Sequence, residues 1–88
     1  FFMEEKIKTE ALERAVPRLF ADKSCGEVFR IKGFVKNGAG QWMELNATPD
    51  SHTMQPVAVG QEVLIVIGEH LQEDKIREIL KEEEKCQS

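Results

Sequence analysis

Tyrosine is missing from this sequence, and cysteine occurs only twice, at Cys25 and Cys86. Two widely spaced cysteines do not make a disulfide framework and read as free thiols of a reducing compartment. No apolar run approaches the ~18 residues of a membrane span, and no basic-then-apolar leader opens the chain. The expectation is a soluble, cytoplasmic protein with no membrane partner. The motifs of local chemistry are missing too. There is no G-x-x-x-x-G-K-[ST] phosphate loop, no C-x-x-C and no H-E-x-x-H. No serine or cysteine sits in a nucleophile motif. His52 and His70 lie far apart among ordinary neighbours. The chain is therefore expected to have no catalytic residue, no bound cofactor and no metal set by spacing. Cys25, His52, His70 and Cys86 could converge on a metal only through the fold; a small metal-binding module of that kind is one alternative.

A surplus of positive charge is also missing. The net charge is −4. Residues 1–60 carry eight Lys/Arg against eight Asp/Glu, and residues 61–88 carry four against eight, so the whole excess is C-terminal. Nucleic-acid affinity rests on phosphate neutralisation by a basic face, and this balance argues against it.

What is present fits one domain, residues 1–88, long enough to bury roughly 60–65% of its unfolded surface. A chain opening on Phe1 reads as a piece of a longer one. "FFMEEKI" (1–7) predicts a short strand. "TEALERAVPRLFAD" (9–22) predicts a helix with Thr9 as N-cap and Leu12, Val16, Leu19 and Phe20 on one face. Pro17 lacks the donor for the Glu13 carbonyl and predicts a kink or break. "EVFRIKGFVK" (27–36) and "QWMELNAT" (41–48) flank the turn signal "NGAG". "HTMQPV" (52–57) predicts an edge strand, because Pro56 cannot donate to a ladder. "EVLIVIG" (62–68) predicts a central strand. "LQEDKIREILKEEEK" (71–85) predicts a second helix with Ile76, Ile79 and Leu80 as its stripe and Leu71 stapled onto Ile76. The order β-α-β-β-β-β-α suits an α+β two-layer sandwich, a mainly antiparallel sheet with both helices on one face.

Alternation then divides the strands between two faces. The stronger apolar sets are expected under the helices: Phe29, Ile31, Gly33 and Val35; Met43, Leu45 and Ala47; Val63, Ile65 and Ile67. The opposite face would carry Val28, Arg30, Lys32 and Phe34; Trp42, Glu44 and Asn46; Leu64 and Val66. That mixture is more apolar than a solvated sheet face needs. Exposed aromatics beside charges have the composition of an interface, so Arg30, Lys32, Phe34 and Trp42 are the candidate partner-binding residues.

The stretch "RIKGFVKNG" (30–38) admits two readings. Lys32-Gly33-Phe34 opens like the RNA-reading strand of an RRM, but Val35, Lys36 and Asn37 do not continue that motif. An RRM-like nucleic-acid-binding sheet is thus a second alternative, and no nucleic-acid partner is expected. "GEVFRIKGFV" (26–35), "QWMELNATPD" (41–50) and "GQEVLIVIGEHLQEDKIREIL" (60–80), taken in order, resemble the C-terminal domain of the CobW family. Arg30, Lys32, Gly33 and Phe34 match that domain's R-x-K-G-F core.

The resemblance implies an accessory domain of a GTPase involved in cobalamin biosynthesis or in cobalt or zinc delivery. It places the phosphate loop and the metal-binding C-x-C-C motif in an N-terminal domain outside this sequence. GTP, magnesium and zinc or cobalt would then be bound by that parent chain. The implied partners are the N-terminal GTPase domain and a metal-receiving client protein. The family's aromatic-His-Pro entrance to the first helix is replaced here by Ile7-Lys8-Thr9, so no role of that histidine transfers.

Overall fold

The 3.6-residue apolar period produces the first helix, α1 (Thr9–Ala21), in a computed structural model that describes residues 2–3 and 7–85. Its inward stripe is Ala11, Leu12, Ala15, Val16 and Leu19, with Phe20 half-buried beside it. Thr9 is not the N-cap. Lys8 holds that position in extended backbone, with no side-chain cap, while Thr9 is helical and its buried Oγ1 has no hydrogen-bond partner. Nor does Pro17 break the helix, which runs on to Ala21. Pro17 and Glu13 both lie on the exposed side, so water can reach the carbonyl left without a donor. Fully burying side chains such as Leu19 contributes ~1.5–3 kcal/mol each, which offsets a proline cost of roughly 3 kcal/mol.

The remaining elements follow the predicted order. β1 (Phe2–Met3) precedes α1; after it come β2 (Glu27–Lys36), β3 (Trp42–Ala47), β4 (His52–Val57), β5 (Val63–Glu69) and α2 (Glu73–Lys85). A single 3-10 turn, Lys23–Cys25, joins α1 to β2. The strands form one sheet in the order β1-β5-β2-β3-β4, with every neighbour antiparallel. β4 lies at the edge, as Pro56 requires. Of the predicted strand 1–7, only Phe2–Met3 forms a described strand; residues 1, 4–6 and 86–88 lie outside the described set.

Both helices cover one face, and a single core joins Leu12 and Leu19 of α1, Ile76 and Ile79 of α2, and Ile31, Leu45 and Val66 of the sheet. Leu71 packs half-buried against this core, and the Gln72 carbonyl accepts from Ile76 N–H at 3.1 Å. On their outer sides the helices are clamped together. Arg14 Nε donates to Glu83 at 2.9 Å, and Arg18 reaches Glu83 at 2.8 Å and Glu82 at 2.7 Å. The bonds from Arg18, then Arg14, hold the Glu83 carboxyl below the usual carboxylate range.

Register corrects part of the face assignment. Ile31, Gly33, Val35, Leu45 and Ala47 face the helices as expected, with Met43 packed beside them. β5 is inverted: Gly33 pairs with Leu64 and Ile31 with Val66, so Leu64 and Val66 enter the core while Val63, Ile65 and Ile67 take the open face. At the start of β2 the pairing shifts between Val28 and Arg30. This bulge places one extra residue in the strand and inverts its alternation. Val28 is therefore 6% exposed in the core, while Phe29, predicted to be inside, is 48% exposed. Gly33 permits a close backbone approach. A Cβ there would lie 2.9 Å from the Val63 carbonyl oxygen and 2.9 Å from Leu64 Cδ1.

Candidate interaction face

The side of the sheet away from the helices gathers all four residues singled out from the sequence. Arg30, Lys32 and Phe34 alternate along β2, and Trp42 stands at the start of β3, paired with Lys36. Phe34 and Trp42 are diagonal neighbours across the hairpin. That hairpin is closed by Asn37, whose Oδ1 accepts from Ala39 N–H at 2.9 Å and Gln41 N–H at 3.0 Å.

The hairpin end of this face is largely satisfied within the domain. The loop between β4 and β5 folds back so that Gly60 lies on both aromatics. A Cβ at Gly60 would sit 3.2 Å from Phe34 Cδ1 and 3.2 Å from Trp42 Cε3. A side chain there would be tight, and the two rings would have to give by a few tenths of an ångström. Lys36 Nζ stands 5.2 Å from the Trp42 ring centroid, within cation–π range. Val63, opposite Phe34 in the register, is 5% exposed. Phe34 and Trp42 are accordingly half-buried rather than bare.

The charges between the two ends are tied to β3. Arg30 Nη2 donates to Asn46 Oδ1 at 3.0 Å, and Lys32 Nζ lies 3.9 Å from Glu44 Oε2. The bulge end is bare by contrast. Phe29 and Ile67 are each about half exposed, and Phe2, opposite Ile65, is 55% exposed. Sequence reasoning missed all three as surface residues. Alternation could not find Ile67, because the whole run Val63–Ile67 is apolar, and Phe29 is displaced by a bulge that no local motif marks.

The scattered cysteine and histidines do not assemble. Cys25 is fully buried, and burial, then the Asp22 charge, pushes its thiol up. His52 begins β4 and His70 follows β5; both are exposed. No group of three His, Cys, Asp or Glu among the described residues is placed to hold a metal ion. Cys86 lies outside those residues. Among the described residues no helix is long and apolar enough to cross a membrane. The described residues of this face form a surface with apolar, cationic and anionic sectors.

Residues 1–84 match the family model for the C-terminal domain of the cobalamin synthesis protein CobW. No curated protein and no solved structure gives a significant match.

Proposed function

The chain belongs to the CobW C-terminal domain family, and on that premise we propose that it is a non-catalytic, protein-interaction domain of a GTPase acting in cobalt or zinc delivery or in cobalamin biosynthesis. The open sheet face is its docking surface, and the N-terminal GTPase domain of the same parent is its first partner. A metal-receiving client protein is the second. GTP, magnesium and the delivered zinc or cobalt belong to the parent's other domain, in the cytoplasm.

The observation that carries this reading is a sheet whose helix-free side keeps large apolar groups in contact with solvent, Phe2, Phe29 and Ile67 foremost. Arg30, Lys32, Phe34 and Trp42 lie on the same side. Burying such groups supplies a few kcal/mol at ~25 cal/mol per Å², before the cost of association is subtracted. Docking communicates nucleotide state only if the GTP- and GDP-bound parent differ in affinity for this face.

The test is titration of the chain with the separately expressed GTPase domain, loaded with GDP or a non-hydrolysable GTP analogue. Saturable binding that depends on the nucleotide is expected. Phe34→Ser with Trp42→Ser should weaken it about tenfold or more while cooperative thermal unfolding persists, because the main core lies on the other side of the sheet. Equal binding by the double variant would place the docking surface elsewhere.

A further inference from the structure

Glu27 and Glu69 are direct cross-strand partners at the end of the β2–β5 ladder. Both project to the open face: Val28 beside Glu27 turns into the core, and Glu69 shares the outward alternation of Ile67. Like charges directly opposite one another are unfavourable. Among the described residues no ion pair reaches either carboxylate. Arg30, next along β2, donates to Asn46 on the other flank. The acid pair lies beside Phe29 and Ile67, which are each about half exposed on this face.

We infer that the bulge end of the open face is a docking site for a protein segment that presents an apolar side chain flanked by lysine or arginine. The apolar side chain would cover Phe29 and Ile67, and the cation would lie between Glu27 and Glu69, relieving their repulsion. This inference rests on the docking function proposed above. It adds where on the face the contact forms and what chemistry the partner brings. The rest of the face is a poorer candidate for the polar half of the contact, since Arg30, Lys32 and Lys36 already have partners within the sheet.

The experiment uses the chain and the separately expressed GTPase domain as probe, with affinity measured across a salt series. Three chains are compared: unaltered, Glu27→Gln with Glu69→Gln, and Phe29→Ser with Ile67→Ser. Rim charges give an affinity that weakens with salt, so the unaltered chain should show that slope. The double Gln variant should melt at the same or a slightly higher temperature, bind several-fold more weakly at low salt and lose much of the slope. A merely structural role for the two carboxylates would not produce that combination. The Phe29/Ile67 variant should lose about tenfold or more in affinity. If the unaltered chain binds and both variants bind equally well with the same salt slope, this inference is overturned while the docking function stands. If the unaltered chain does not bind the GTPase domain, both are overturned.

Discussion

Both faces of the sheet carry branched and aromatic residues, yet they are buried to different extents. Under the helices, Ile31, Leu45 and Val66 are fully buried in a continuous core. On the open side, Phe34 and Trp42 are half-covered by a glycine loop, and Phe29 and Ile67 are each left about half exposed. Apolar character alone therefore does not say whether a strand residue is buried or left exposed. Its register against the neighbouring strand does.

Substitutions should separate the faces by size of effect. The largest loss is expected on the covered side: Ile31→Ala should cost about 2–5 kcal/mol through lost burial and the cavity left behind, read as a fall in the denaturation midpoint. A loss below 1 kcal/mol there would break the comparison. An intermediate effect is expected at the hairpin end. Gly60→Val drives a side chain into Phe34 and Trp42, at a cost of about 1–3 kcal/mol. Trp42 is the only tryptophan, so its emission should shift to longer wavelength as the loop lifts; an unshifted spectrum would mean that the loop does not cover it. The helix layer offers a smaller test through pH. The folded-state Glu83 carboxyl lies below its usual range because Arg18 and Arg14 bond it. Its contribution is therefore fully present above the unfolded carboxylate value, roughly 4.3, and is lost as pH falls through the lower folded one. Arg18→Ala should lower the melting temperature slightly at neutral pH, and the difference from the unaltered chain should shrink in acid. The smallest effect belongs to the bare end: Phe29→Ser should change stability by no more than about 0.5 kcal/mol, as surface substitutions do.

Much of this architecture was legible beforehand because it depends on local chemistry. The α1 and α2 stripes, the Asn37 turn and the edge position forced by Pro56 each come from residues close together in the chain. Thr9 has the right chemistry for a cap, but the helix already begins at Thr9, which leaves Lys8 at the cap position. The place of Arg30, Lys32, Phe34 and Trp42 on the open face was identifiable because β2 and β3 alternate cleanly after the bulge. Phe29, Ile67 and the Glu27–Glu69 pair were not, since each depends on a partner strand dozens of residues away.

The sequence by itself determined the order of elements and the apolar stripes of both helices, because helix periodicity, turn chemistry and proline geometry act over a few residues. Tertiary structure decided which side of β5 enters the core, where the β2 alternation inverts and which carboxylates meet. In the run Val63–Ile67 every residue is apolar and either face could be buried. The choice falls to the pairing of Gly33 with Leu64, where a missing side chain lets β5 approach closely, and to one extra residue at Phe29 that reverses the alternation at the start of β2.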